Sequence, residues 1–205
     1  MKTLLIIFTS DNGANERFGG SNHPLRGQKG STYEGGFRVP CIMRWPARIP
    51  AGQVCNEVIT SMDLLPTIAY YCGANTPADR IIDGYNVSDI LEGKQVKSPT
   101  ETFYYYQRQQ LQAVRWKNWK YHLDLDRRII GPHGLDTEQS EGALYNLADD
   151  ISESVNLVNK HPEIVVRMKE IIKKVRYDLG DWEFEGHNIR PAGFIDEPFP
   201  RLLKE

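Results

Sequence analysis

The chain has 205 residues with a formal net charge of −2, and 40% of them are hydrophobic and 25% charged. These values are typical of a globular protein with a sizeable core, and they argue against a nucleic-acid partner, which would require a strongly basic surface. The apolar run at residues 4–8 is too short for a signal peptide or a membrane-spanning helix, so we expect no membrane partner.

The elements predicted for the first hundred residues suggest part of an α/β domain. Residues 4–8 form an unbroken apolar run, which predicts a strand buried on both faces of a parallel sheet. A glycine-rich polar stretch at residues 13–36 predicts a long functional loop, and residues 37–45 predict a strand interrupted at Pro40. Residues 61–73 predict a helix that Gly73 ends. The three cysteines have no paired spacing, so we expect them to be buried as small hydrophobic residues.

The second half predicts a small antiparallel sheet and one long helix. Short strands are expected at residues 103–106, 111–116, 119–124 and 143–147, with a hairpin turn at residues 117–118. Apolar residues recur at helical spacing over residues 162–179, with Pro162 at the start and Gly180 after the end.

Asp11 and Asn12 follow the first apolar run directly and are followed by Gly13. Carboxylate and amide oxygens are hard ligands suited to calcium or magnesium, and the end of a strand is where α/β sheets bind ligands. Asp-Asn-Gly is also a common turn sequence. The pair therefore predicts either a plain turn or half of a metal site.

The segment PLRGQKGSTYEGGFRVP, residues 24–40, places Lys29 in a glycine-flanked loop with Arg26 three residues before it. Glycines allow the backbone to approach an anion, and lysine supplies a compact positive charge. A metal and Lys29 converging on one point could hold a tetrahedral oxyanion such as sulfate or phosphate. The alternative is that both cations are solvated loop residues.

These segments, taken in order, resemble the carboxyl-terminal portion of a sulfatase of the arylsulfatase type, similar to the arylsulfatases and galactosamine sulfatases. The resemblance covers nearly the whole chain and rests on TSDNG, GGSN, PLRGQKGSTYEGGFRVP, RWPARIPAG, MDLLPTI, DGYN, LQAVRWKNWKYHLD and LYNLADDISESVNL. It implies an α/β, alkaline-phosphatase-like sulfatase fold that is incomplete here. Residues 1–100 would be the carboxyl-terminal part of the α/β domain. Residues 101–205 would be a carboxyl-terminal subdomain in which a small antiparallel sheet packs on helix 162–179.

The resemblance also implies roles for individual residues. Asp11 and Asn12 match two calcium ligands, and Lys29 matches a catalytic lysine that binds a sulfate oxygen. His23 and His133 are candidates for contact with the substrate. Glu34 and Arg38 match positions that fix the loop. We expect His122, His161 and His187 to be structural or exposed, and Asp149, Asp150 and Glu153 to form a solvated turn.

The nucleophile of the family is a formylglycine made from the Cys or Ser of a C-x-P-S-R-type motif, and none of the three cysteines here has that context. The resemblance places this motif and the other calcium ligands in a missing amino-terminal half of the sulfatase domain. Two oxygen donors are too few for calcium, which takes about six to eight. We therefore expect the isolated chain to be inactive and its calcium site to be incomplete.

Two other functions stay open at this point. The same fold could hydrolyse phosphate or phosphonate esters, or the chain could be a non-catalytic remnant or binding module. If it is a sulfatase, its substrate would be an aryl or sugar sulfate ester. The family is often periplasmic, secreted or lysosomal, and the sequence leaves the localisation open.

Overall fold

The structure is a computed structural model that describes residues 4–94, 97–126, 128–130, 134–136, 141–192 and 196–197. The strands are β1 (Ile6–Thr9), β2 (Cys41–Arg44), β3 (Thr102–Gln107), β4 (Gln110–Trp116), β5 (Trp119–His122), β6 (Arg128–Ile130), β7 (Gly134–Asp136), β8 (Ala143–Asn146), β9 (Gly180–Asp181) and β10 (Phe184–Glu185). The α-helices are α1 (Glu34–Phe37), α2 (Leu64–Tyr71), α3 (Ser88–Leu91) and α4 (Pro162–Leu179). Short 3-10 turns occupy Glu16–Phe18 and Ser61–Asp63.

The centre of the second half is a four-stranded antiparallel sheet in the order β3-β4-β5-β8. Strands β4 and β5 form the expected hairpin, in which Trp116 pairs with Trp119 across a turn where Lys117 has a φ of 55°. Strand β8 then pairs with β5, with Leu144 opposite Tyr121. The predicted antiparallel sheet is therefore confirmed.

Helix α4 packs its apolar face on this sheet and forms the main core. The helix has the predicted bounds, begins with Pro162 and ends at Gly180, whose φ of 86° leaves the helical conformation. The buried residues in contact are Leu111, Val114, Tyr121, Leu123, Leu144, Met168, Ile171, Ile172 and Val175. Burying each large apolar side chain contributes about 1.5–3 kcal/mol, so this layer dominates the stability of the second half.

Strands β1 and β2 form a separate two-stranded antiparallel ribbon, with Phe8 opposite Ile42. The prediction of a parallel strand buried on both faces is wrong for the described residues, because Phe8 is 65% and Ile42 63% exposed. The apolar run specified a strand but not its neighbours, and no layer of the described chain covers it. Cys41, Cys55 and Cys72 are likewise exposed rather than buried.

The helix predicted at residues 61–73 is present as a 3-10 turn followed by α2, and it begins with a capping box between Thr60 and Asp63. Both oxygens of the buried Asp63 carboxylate accept hydrogen bonds, from the amides of Thr60 (2.7 Å) and Tyr85 (2.8 Å).

The boundary between the α/β part and the carboxyl-terminal subdomain, placed after residue 100, stays a prediction. No helix within the described residues combines the length and apolar character needed to cross a bilayer.

Candidate active-site loops

The acid–amide pair lies at the end of β1, where the chain turns into the glycine-rich loops. Asp11 is exposed and Asn12 is half-buried. The amide of Gly13 donates to the carbonyl of Gly36 at 3.0 Å. A Cβ on Gly13 would lie 1.7 Å from the carbonyl oxygen of Gly35, so only glycine allows this approach. The pair is therefore fixed against the segment that follows Lys29.

Lys29 is held against the same turn by a second backbone contact. Its amide donates to the carbonyl of Ala14 at 3.0 Å. The side chain of Asn22 joins the two loops, because its Oδ1 accepts from the amide of Ala14 (2.7 Å) while its Nδ2 donates to the carbonyls of Ala14 (2.9 Å) and Gly27 (3.2 Å). The structure thus brings the loop of Asp11 and Asn12 next to the loop of Lys29.

The charged groups of these loops differ in their contacts with the rest of the described chain. The Asp11 carboxylate and the Lys29 ammonium have no ion pair or hydrogen bond within the described residues. Arg26 differs, because its guanidinium donates to the carbonyl oxygen of Glu153 at 2.9 Å and stacks on Tyr33 at 4.2 Å. Within the described residues, the Lys29 ammonium thus keeps all its donors for an anion, whereas part of the Arg26 guanidinium is engaged with Glu153 and Tyr33.

His23 is exposed and lines an open groove of about 440 Å³ formed by residues 21–25 and 38–40. Arg38 lies on the other side of this groove and supplies it with a positive charge. The residues that line this groove come before and after Lys29 in the chain, and they include neither Lys29 nor Asp11 or Asn12. His133 lies outside the described residues.

The donor set fits calcium in kind but supplies only part of its coordination. Asp11 and Asn12 offer hard oxygen ligands from an exposed turn, as calcium requires. Within the described part of the chain, no group of three or more His, Cys, Asp or Glu residues is placed to hold a metal ion. Asp11 and Asn12 could therefore contribute two ligands to a calcium ion whose other ligands come from elsewhere.

Beneath the Lys29 loop lies a buried ion cluster formed by Glu34, Lys120, His122 and Glu153. The Lys120 ammonium, whose residue is 0% exposed, lies 3.0 Å from a carboxylate oxygen of Glu34 and 3.0 Å from one of Glu153. His122 Nε2 lies 2.8 Å from the same Glu153 oxygen. The hydroxyl of Tyr105 donates to Glu34 at 2.8 Å.

The cluster changes the protonation behaviour of its members. Burial by itself raises the pKa of Glu153, but the hydrogen bond with His122 and the charge of Lys120 outweigh it and leave that pKa below its usual value. Burial and the charge of Glu34 raise the pKa of Tyr105 well above its usual value, so its hydroxyl remains a donor. The expectation that Glu153 lies in a solvated turn is therefore wrong, whereas His122 is structural as predicted.

Two contributors to these loops are not evident from the sequence patterns. Asn22 belongs to the GGSN motif, and the signal that could have found it is the tendency of Asn side chains to bind backbone groups in loops. Lys120 belongs to a predicted strand, where a lysine normally faces solvent. Side chains alternate along β5, and Lys120 lies on the face of the sheet that contacts α1. The residues around Lys120 in the sequence do not show that α1 covers this face.

Comparison with known proteins identifies the family. The family model described as "N-sulphoglucosamine sulphohydrolase, C-terminal" matches residues 27–178. Human steryl-sulfatase is 47% identical over 120 residues, covering 55% of this chain and 21% of that protein. The chain thus spans about a fifth of the length of the curated relatives it matches.

Solved sulfatase structures share the fold. The PsFucS1 sulfatase from Pseudoalteromonas sp. superposes with a TM-score of 0.68 at 28% identity, covering 83% of this chain and 36% of that one. The structure of BT4656 with its substrate D-glucosamine-2-N,6-O-disulfate gives a TM-score of 0.60 at 22% identity, covering 84% and 34%. The fold is accordingly the alkaline-phosphatase-like fold of sulfatases. The chain belongs to the sulfatase family, as a carboxyl-terminal portion.

Proposed function

We propose that the chain supplies the calcium- and sulfate-binding carboxyl-terminal part of a sulfuric ester hydrolase. One observation carries the proposal: two backbone hydrogen bonds, Gly13 to Gly36 and Lys29 to Ala14, hold the Asp11–Asn12 turn beside the Lys29 loop. Both loops present charged side chains that have no partner within the described residues. Their opposite charges suit a cation and an anion bound side by side.

Each residue then has a defined task. Asp11 and Asn12 hold calcium, and Lys29 donates a hydrogen bond to a sulfate oxygen near the leaving group. A sulfate ester resists attack because its oxygens repel a nucleophile, and Lys29 lowers that negative charge as it grows in the transition state. Calcium, when bound, withdraws charge from the same oxygens. The formylglycine nucleophile comes from residues outside these 205.

The groove beside His23 supports an organic sulfate ester, aryl or sugar, as the substrate class. His23 and Arg38 border a groove of about 440 Å³ formed by segments on both sides of Lys29 in the sequence. BT4656, which shares this fold, was solved with a sulfated sugar. In our proposal His23 contacts the organic part of the ester, and His133 keeps the same role as a prediction.

The exposed apolar ribbon of β1 and β2 would receive the rest of the sulfatase domain. Large apolar side chains stand exposed on this ribbon and on the neighbouring α2, namely Leu4, Ile6, Phe8, Ile42, Leu65 and Ile68. Clusters of exposed apolar side chains of this kind mark interaction surfaces. The proposed occupant carries the nucleophile and the remaining calcium ligands.

The test compares the chain alone with the chain completed by the amino-terminal part of a sulfatase that carries a formylglycine. We expect no hydrolysis of 4-nitrophenyl sulfate by the chain alone, and calcium-dependent hydrolysis by the completed protein. Lys29→Ala should lower kcat by about 100- to 1000-fold, the range for removing a transition-state donor. Lys173→Ala, which removes an exposed lysine of α4, is the matched control.

Two outcomes would contradict the proposal. Turnover by the chain alone would show that the nucleophile lies within these residues, and full activity of the Lys29→Ala protein would remove its role. Calcium titration of the chain alone tests the binding-module alternative, because a binding module must bind calcium without a partner. Faster hydrolysis of 4-nitrophenyl phosphate than of the sulfate would favour the phosphatase alternative.

A further inference from the structure

We propose that the buried ion cluster of Glu34, Lys120, His122 and Glu153 is a positioning device that sets the place of Lys29. The inference rests on the proposed role of Lys29 and extends it to residues that lie up to 124 positions further along the chain. None of the four carries out chemistry itself. They act through the loop that Lys29 belongs to.

The first anchor lies after Lys29, at Glu34 in the single turn of α1. Its amide donates to Oε2 of Glu153 at 2.7 Å, and its carboxylate accepts from Lys120 at 3.0 Å and from Tyr105 at 2.8 Å. Both the backbone and the side chain of Glu34 are therefore held by residues of the second half. This fixes the end of the loop five residues after Lys29.

The second anchor lies before Lys29, at Arg26. Its guanidinium donates to the main-chain oxygen of Glu153 at 2.9 Å, so the two ends of the Lys29 loop converge on one residue. The amide of Gly35 closes the base of the loop by donating to the carbonyl of Arg26 at 2.7 Å. Lys29 thus projects from a loop whose two ends are both bound to Glu153.

The close packing of the loop base explains why a precise anchor is needed. A Cβ on Gly35 would lie 2.3 Å from the carbonyl oxygen of Gly27, and one on Gly36 would lie 2.0 Å from that of Ser31. Backbone segments packed this closely have little room to rearrange. A shift at Glu34 would therefore displace the whole turn that carries Lys29. Because Lys120 and Glu153 are fully buried, the cluster cannot touch a substrate and acts only through the loop.

A buried ion pair is not by itself a strong source of stability, because an apolar pair of similar volume often serves equally well. A variant that removes the charges can therefore test whether the cluster positions the loop without unfolding the chain. Lys120→Met combined with Glu153→Gln removes one positive and one negative charge and keeps both volumes, and the Arg115 guanidinium stays 3.7 Å from the Glu34 carboxylate, so the fold should tolerate it. The loop, however, loses the Lys120–Glu34 ion pair at 3.0 Å, which is its shorter charged contact to the sheet.

The experiment measures amide hydrogen exchange of the full 205-residue chain, wild type and Lys120→Met/Glu153→Gln, without any ligand. We expect the amides of Lys29 and Gly35 to exchange at least about tenfold faster, through local opening, while the amides of β4 and α4 change by less than about twofold. The control is Glu170→Gln, which removes a carboxylate from an exposed pair on α4 and should alter neither.

Two results would overturn the inference. Unchanged exchange of the loop in the double variant would show that the cluster does not hold it. Equal acceleration in the loop, β4 and α4 would show a merely structural cluster. Because no sulfate is used, a negative result from the Lys29→Ala activity test leaves this measurement interpretable.

Discussion

Removing the buried ammonium by Lys120→Met should destabilise the chain strongly. Methionine matches the length of the side chain but leaves the carboxylates of Glu34 and Glu153 buried without their shared cation. His122 remains beside Glu153, and Tyr105 and Arg115 remain beside Glu34, with the Arg115 guanidinium 3.7 Å from a carboxylate oxygen. The variant therefore isolates the contribution of one charge.

The magnitude follows from two contacts of 3.0 Å between Lys120 and the carboxylates of Glu34 and Glu153. At an effective dielectric constant of about 20, each attracts by roughly 5–6 kcal/mol. Burying the ions costs several kcal/mol each, which offsets much of this gain. Because the variant leaves Glu153 without its lysine and Glu34 with only the more distant Arg115, we expect a loss of about 3 kcal/mol, the lower end of the range for breaking a buried ion pair. That is a large share of the roughly 5–15 kcal/mol that stabilises a typical domain.

The assay is equilibrium unfolding in urea followed by far-UV circular dichroism at pH 7. Lys173→Met is the matched control, because Lys173 is 73% exposed and its pair with Glu170 should contribute less than about 1 kcal/mol. A loss below about 1 kcal/mol for Lys120→Met, with an unchanged m-value, would refute the reasoning. It would mean that water or a rearranged partner satisfies both carboxylates.

Three further results are expected. Met168→Ala should destabilise the α4–sheet core by about 2–5 kcal/mol in urea unfolding, whereas Val166→Ala, on the exposed side of the same helix, should change it by less than about 0.5 kcal/mol. Gly13→Ala should accelerate amide exchange at Lys29, because its Cβ would lie 1.7 Å from a carbonyl oxygen, whereas Lys173→Ala on the exposed face of α4 should not. The lowered pKa of Glu153 adds stability that is fully present above about pH 4.5 and is lost as pH falls through its lower folded pKa. Between pH 6 and 3, the free energy of unfolding should therefore fall less steeply with decreasing pH for Glu153→Gln than for wild type. Equal slopes would show that Glu153 does not cause the loss of stability in acid.

The elements that could be predicted are those whose signal is local. Helix α4 was predicted with its observed bounds, because apolar spacing, Pro162 and Gly180 all act within a few residues. The β4–β5 hairpin followed from two strand-forming runs around a two-residue turn. The glycines and the charge of the Lys29 loop predict an anion site, and this stays a prediction. Whether Asp11, Asn12 and Lys29 bind their proposed ligands stays a prediction.

The sequence by itself thus determined helices α2 and α4, the hairpin and the residues proposed to carry the chemistry, but not the single-turn helices α1 and α3. Only the tertiary structure decided that β1 pairs antiparallel with β2, that Glu153 is buried and that Lys120 lies between two carboxylates. The bond from Glu34 to Glu153 joins residues 119 positions apart, and that from Lys120 to Glu34 joins residues 86 apart. Periodicity reports which face of an element is apolar, but the burial and pairing of a charge depend on which distant element covers it.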